Sequence, residues 1–266
     1  MMIDVNVNLS RWPFRRLPCD THDRLTLKLH QHDVVQAWVS SFDAVLHRDI
    51  GGVNLRLAEA CKESGNVQLV PFGTVNPMSP DWHEDLRRCH EDYRMPGIRL
   101  VPNYHDYSLE NAAVAELFQL AENRGLIVQI AFRMEDPRTQ HPRLQVPDVD
   151  PAALSALAGR HPRLKLVLLN WQPAVTGTPL KQLAAAPNVF FDIAMCEGVG
   201  GVGSLLETVS VERVLFGSHV PFFNLESSLL KIRESPLTPE QLKAITHENA
   251  ARLSADGASR VTNANS

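Results

Sequence analysis

Short apolar runs of strand length alternate along this chain with longer stretches in which apolar residues return every three or four positions. The first run, Ile3-Asp4-Val5-Asn6-Val7-Asn8, alternates strictly. As a strand it would carry β-branched residues on one face and Asp4, Asn6 and Asn8 on the other, with Asp4 one step deeper. A loop from Ser10 to Asp20, containing Trp12-Pro13-Phe14-Arg15-Arg16, leads to a helix over Thr21 to Asp33 and a strand over Val35 to Ser40. A second helix runs from Asp49 to Ser64, with Gly65 as its stop. Strand Gln68 to Val75, helix Asp81 to Tyr93 and strand Gly97 to Val101 follow. Val114, Leu117, Phe118 and Ala121 mark one face of the next helix, which ends before Gly125 and strand Leu126 to Arg133. Three more pairs follow: helix Asp150 to His161 with strand Leu164 to Asn170, helix Pro179 to Ala186 with strand Val189 to Met195, and helix Val202 to Thr208 with strand Arg213 to Ser218. After a helix over Glu226 to Glu234, Thr238-Pro239-Glu240-Gln241 opens one more, combining an N-cap threonine, a first-turn proline and a capping-box glutamine.

Eight strands, each followed by a helix, predict an α/β fold: a single (β/α)8 TIM barrel with an extra C-terminal helix. No Gly-x-Gly-x-x-Gly turn follows the first strand, which argues against a doubly wound sheet. No linker splits the chain, so the barrel is expected over residues 1–255, with a small, polar, frayed tail at 256–266. The proline-rich stretch Asp136 to Pro151 reads as a long loop at one mouth.

Composition narrows the function classes. A net charge of −4 speaks against a nucleic-acid surface. No run reaches the ~20 apolar residues of a membrane span, and no basic-then-apolar leader opens the chain. The four cysteines are scattered, as in a cytoplasmic protein with reduced thiols. A homodimer fits this picture, although nothing in the sequence demands one.

In such a barrel the chemistry sits where strands end. Those positions hold Asn6, Asn8, Ser40, Asn76, Arg99, Asn103, Arg133, Asn170, Cys196, Glu197 and His219. Guanidiniums beside amides suit a small carboxylate or phosphate, so Asn6, Asn8, Arg99, Asn103, Arg133 and Asn170 are the candidate substrate-binding residues. His219 is the candidate catalytic acid/base. Against this, each arginine can pair with a structural acid (Glu135, Asp136 or Glu197), and a lone histidine can simply fill space. Trp12, Phe14, Tyr104 and Tyr107 could wall the pocket or pack the loops.

The chain resembles the amidohydrolase superfamily, in its amidohydrolase-2 branch of TIM-barrel metal-dependent hydrolases and decarboxylases. Ile3 to Leu9 is similar to that family's first strand, I-D-x-H-x-H. Gly97-Ile98-Arg99-Leu100 and Gly125 to Ile130 are similar to its fourth and fifth strands, and Arg213 to Ser218 to its eighth, R-x-x-F-G-[ST]-D. Glu226-Ser227-Ser228-Leu229 and Asn249-Ala250-Ala251-Arg252-Leu253 resemble its C-terminal helices. The resemblance implies a metal site, yet its ligand positions are substituted: Asn6 and Asn8 replace His-x-His, Ala131 and Asn170 replace the histidines of strands five and six, and His219 replaces the aspartate of strand eight. Amide oxygens are poor ligands for zinc, so no tightly bound metal is expected, and at most a weak divalent cation. His105 and His141 are the only histidines placed to rebuild a site. Two functions follow: an amidohydrolase-type hydrolase or decarboxylase with altered chemistry, or a non-catalytic descendant that binds a small acid or serves as a scaffold.

Overall fold

The computed structural model describes residues 1–62 and 65–255, so the expected frayed tail lies outside the described residues. Eight parallel strands follow one another in chain order: β1 (Met2–Leu9), β2 (Val34–Ser41), β3 (Gln68–Thr74), β4 (Gly97–Leu100), β5 (Ile127–Ala131), β6 (Lys165–Leu169), β7 (Val189–Asp192) and β8 (Val214–Leu215). The helices between and after them are α1 (His22–Gln31), α2 (Asp43–Leu46), α3 (Ile50–Lys62), α4 (Trp82–Arg87), α5 (Ala112–Asn123), α6 (Leu154–Arg160), α7 (Gly177–Ala185), α8 (Gly201–Leu206), α9 (Leu225–Arg233) and α10 (Pro239–Lys243). Backbone bonds from Val5 N to Phe216 O (3.0 Å), His219 N to Asn6 O (2.8 Å) and Asn8 N to Val220 O (3.0 Å) bring the chain beyond β8 back to β1. The fold is the expected (β/α)8 barrel, and the Thr238 capping box forms as the sequence predicts.

Two expectations change. The short helix α2 was not anticipated, and β8 is far shorter than Arg213 to Ser218. The larger change concerns β1, whose strict alternation does not survive folding. Asp4 is paired with Ala37 and Val7 with Val39, so three steps on β1 match two on β2. That is a β-bulge, which flips the face on which later side chains fall. Ile3 and Val5 therefore pack inside the barrel with Trp38, Phe72, Ile127 and Leu215, while Val7 and Leu9 pack outward on Leu25 and Leu29. Asn6 and Asn8 turn inward, and Asp4 does not share their face. The Asp4 carboxylate instead accepts the Asn6 N–H at 3.0 Å and the Ser218 N–H and O–H at 3.0 and 2.5 Å. It thus supplies the acceptor that a bulged backbone N–H loses, and it ties β1 to the chain after β8.

The interior has three storeys. Apolar side chains, Trp38 and Phe72 stacked among them, form the floor. A polar layer lies above it, and Trp12, Phe42, Tyr104 and Phe222 close the mouth with edge-on ring contacts 4.9–6.0 Å between centroids.

Candidate active site in the polar storey

The polar storey gathers Asn6, Asn8, Arg99, Gln129, Asn170, Asp192 and His219, none more than 2 % exposed. Each stands where strand alternation turns it inward: Ile98, Val128 and Phe191 pack outward beside Arg99, Gln129 and Asp192. Asn170 and His219 come just past their strands, with φ of 53° and 58°. Such left-handed conformations are strained for residues with a β-carbon, and they concentrate where a side chain must be aimed.

Arg99 organises one half of the layer. Its Nε donates to Gln129 Oε1 (2.8 Å), and Nη1 donates to Val7 O (3.1 Å) and Asn8 Oδ1 (3.0 Å). Nη2 donates to Val5 O (3.5 Å) and Trp38 O (3.4 Å). A guanidinium has five N–H groups, and five acceptors meet it. No donor is left for a ligand, so Arg99 acts here as a built-in cation. Burial pulls its pKa down to about 9, against the raising influence of Asp192 and Asp4, which leaves it charged at neutral pH.

Asp192 organises the other half. It accepts from Asn6 Nδ2 at 2.7 Å and from the Asn170 backbone N at 3.0 Å, while Asn6 Nδ2 also donates to Asn170 Oδ1 at 2.9 Å. Burial pushes the Asp192 carboxyl up to about 6, opposed by these bonds and by Lys231 and Arg99. His219 Nε2 lies 2.6 Å from Met134 O, which assigns the proton to Nε2 and leaves Nδ1 to accept from Asn170 Nδ2 at 3.2 Å. Burial pushes its pKa down to about 4, so the ring is neutral at pH 7. One donor of this layer is unmatched: among the described residues, the buried Asn8 Nδ2 has no hydrogen-bond partner.

Of the sequence candidates, Asn6, Asn8, Arg99, Asn170 and His219 converge, whereas Asn103 and Arg133 stand apart. Asn103 donates to Phe132 O and Pro147 O, and Arg133 grips Asp148 through two bonds of 2.5 and 2.7 Å. His105 is spent on Ala44 O and His141 stacks on Phe14, so neither joins the polar layer. Sequence reasoning missed Gln129 and Asp192. The signal was present in both: a polar residue inside or ending a buried apolar run needs hydrogen-bonding partners, and those partners define a site.

The donor set fits a metal ion poorly. Among the described residues no group of three or more His, Cys, Asp or Glu converges, and the nearest amide oxygen, Asn8 Oδ1, already faces the Arg99 cation. An amide oxygen already accepting from a guanidinium has little left to offer a divalent ion, and the positive charge of Arg99 repels one.

Gly217 makes this layer possible. A β-carbon there would lie 2.8 Å from Asp192 Oδ2 and 3.1 Å from the Asn6 β-carbon. Gly217→Ala should therefore destabilise the protein by about 1–3 kcal/mol through overpacking, read as a lower urea midpoint. An unchanged midpoint would mean that the layer has slack the distances deny.

The chain is a (β/α)8 barrel with a buried polar cluster at its strand ends. A family model described as amidohydrolase matches residues 23–253, and the chain belongs to the amidohydrolase family. No curated protein matches it. Solved structures similar to it include a 2,6-dihydroxybenzoate decarboxylase complexed with 2,6-dihydroxybenzoate (16 % identity, TM-score 0.72, covering 96 % of this chain and 100 % of that one). A dihydroxybenzoic acid decarboxylase from Polaromonas sp. JS666, with bound manganese and the inhibitor 2-nitroresorcinol, is 13 % identical (TM-score 0.70, 96 % of each chain). A 4-oxalomesaconate hydratase from Rhodopseudomonas palustris is 16 % identical (TM-score 0.68, 100 % of this chain and 98 % of that one). At these identities the likeness is one of fold.

Proposed function

We propose that this chain binds a small carboxylic acid at the barrel mouth without a metal ion. The observation that carries this reading is the balance of interior hydrogen bonds. Arg99 and His219 have their nitrogens engaged, while the buried Asn8 Nδ2 has no acceptor. An unmatched buried N–H costs about 1–3 kcal/mol, and an acceptor oxygen of a ligand would remove that cost. Arg15, a half-exposed cation of the mouth loops, favours an acid over a neutral acceptor. The solved relatives named for dihydroxybenzoates support the same choice of ligand class.

A second reading has its own observation. The Asp192 carboxyl, raised to about 6, stands near neutrality, as a proton carrier must. On that reading the chain is a decarboxylase or hydrolase in which Asp192 moves the proton and Asn6 and Asn170 hold it in place.

One experiment separates them. Chelator-treated protein is titrated with 2,6-dihydroxybenzoate by calorimetry, and the ultraviolet spectrum of the acid is followed for turnover. Saturable binding without turnover is expected. Turnover that disappears in Asp192→Asn with affinity retained would replace the binder by the enzyme. Stoichiometric manganese or zinc in protein from metal-supplemented cells would overturn the metal-free part of either reading.

A further inference from the structure

Beside the four rings that close the polar storey from above, an ion pair joins the loop after β1 to the loop after β5. Arg15, in the loop after β1, places Nη1 3.0 and 3.2 Å from the two oxygens of Glu135, in the loop after β5. The pairing is unequal: the Arg15 side chain is 38 % exposed and that of Glu135 only 3 %. Among the described residues, Arg15 Nε and Nη2 donate to no protein group, so the contact uses one nitrogen where a guanidinium can offer a two-pronged fork. The Trp12 indole N–H, also buried, lies beside Glu135 and steadies its charge but falls short of hydrogen-bond geometry. Beneath the pair, the Arg15 guanidinium rests on the Phe222 ring at 5.5 Å, and Phe222 stacks on His219 at 5.0 Å. Arg15 therefore stands one aromatic ring above the polar storey. At the outer edge the same two loops meet again where Phe14 stacks on His141 at 5.6 Å.

A buried carboxylate held by a half-exposed, half-used guanidinium is a weak and exchangeable arrangement, because desolvation offsets most of the attraction. Resting on the small-acid reading above, we propose that Arg15 is the anion seat of the mouth and that Glu135 is its internal occupant. An incoming carboxylate takes the place of Glu135 on Arg15, gains the free Nε and Nη2 donors, and releases the loop after β5 from the loop after β1. The contact is thus autoinhibitory: the chain's own carboxylate keeps the mouth shut until a ligand carboxylate outcompetes it.

The test has two arms. In the first, 2,6-dihydroxybenzoate and benzoate are titrated against wild type, Glu135→Gln, Arg15→Gln and the double variant. Glu135→Gln should bind at least tenfold more tightly than wild type, while Arg15→Gln and the double variant should both lose binding. Equal affinity of wild type and Arg15→Gln overturns the seat while leaving the small-acid reading standing. Binding by no variant, Glu135→Gln included, overturns the seat and that reading together. In the second arm, amide hydrogen exchange of the ligand-free proteins is followed over residues 132–149. Faster exchange in Glu135→Gln than in wild type supports the latch, and unchanged exchange overturns it whatever the ligand data say.

Discussion

Arg99→Met should be among the most damaging single substitutions in this protein, lowering the stability at pH 7 by about 3–5 kcal/mol. The substitution removes a buried cation and strands what it holds: the side-chain oxygens of Asn8 and Gln129 and the carbonyls of Val5, Val7 and Trp38. It also removes a positive charge that acts on the buried carboxyls of Asp4 and Asp192, leaving Asp192 with Lys231. For a domain of this size the loss corresponds to a melting temperature lower by roughly 10 °C. Arg99→Lys should recover only a minor part, because a lysine offers three donors from one point and cannot meet acceptors spread around a planar fork. Urea unfolding of the two variants and wild type decides the matter. A methionine variant within about 1 kcal/mol of wild type would show that the cation is dispensable and that the layer can repack without it.

The second large effect is an inverted pH dependence. Burial pushes the Asp4 carboxyl up to about 7 and Asp192 up to about 6. Between about pH 5 and 6 the native state therefore keeps two protons that the unfolded chain has released. His219 works the other way: pushed down to about 4, it is neutral in the native state while the unfolded chain still carries its proton up to the ordinary value of 6.5. Among these three groups, two retained minus one refused leaves the native state one proton richer. Asp85, raised to about 6, and Glu135 add to the difference, and the lowered His90 and His105 oppose it. Stability then falls as pH rises through this window, by about 1.4 kcal/mol per pH unit. Between pH 6 and 6.5 the proton kept by Asp4 is matched by the one His219 refuses, and Asp4 alone then continues the decline to about pH 7, after which the curve flattens. Carboxylates whose pKa values are lowered by arginine partners, such as Asp20 and Glu84, both at about 2, are ionised in both states above about pH 5 and add no slope there. Urea midpoints at pH 5.0, 6.0 and 7.5 should decrease in that order, and Asp4→Asn should flatten the series. Midpoints that rise from pH 5.0 to 7.5 would mean that these carboxylates are ionised in the native state without penalty.

The same burial that inverts the pH curve changes the meaning of His219. A solvent-facing histidine at a strand end would titrate near neutrality and suit proton transfer. Here it stacks on Phe222, meets the edge of Phe223, and spends both nitrogens on Met134 and Asn170. Within the polar storey the group nearest neutrality is instead Asp192, which has no distinguishing mark in the sequence beyond ending an apolar run.

What the sequence determined by itself is the architecture. That is a local property: eight strand-length apolar runs separated by amphipathic stretches define the β/α units, each readable from a short stretch. What only the tertiary structure decided is which side chains meet and which remain free. The parity of β1 depends on a bulge set by pairing with β2, so the alternation of Ile3 to Asn8 predicted the wrong face for Asp4. Arg99 looked available because its acceptors are distant in sequence: Asn8 and Val5 lie 91 and 94 residues away. Whether a buried polar group is open to a ligand depends on partners that the chain brings together only when the barrel closes. The first strand therefore marks the site in sequence, and closure of the barrel decides that Asn8 Nδ2 remains without an acceptor there.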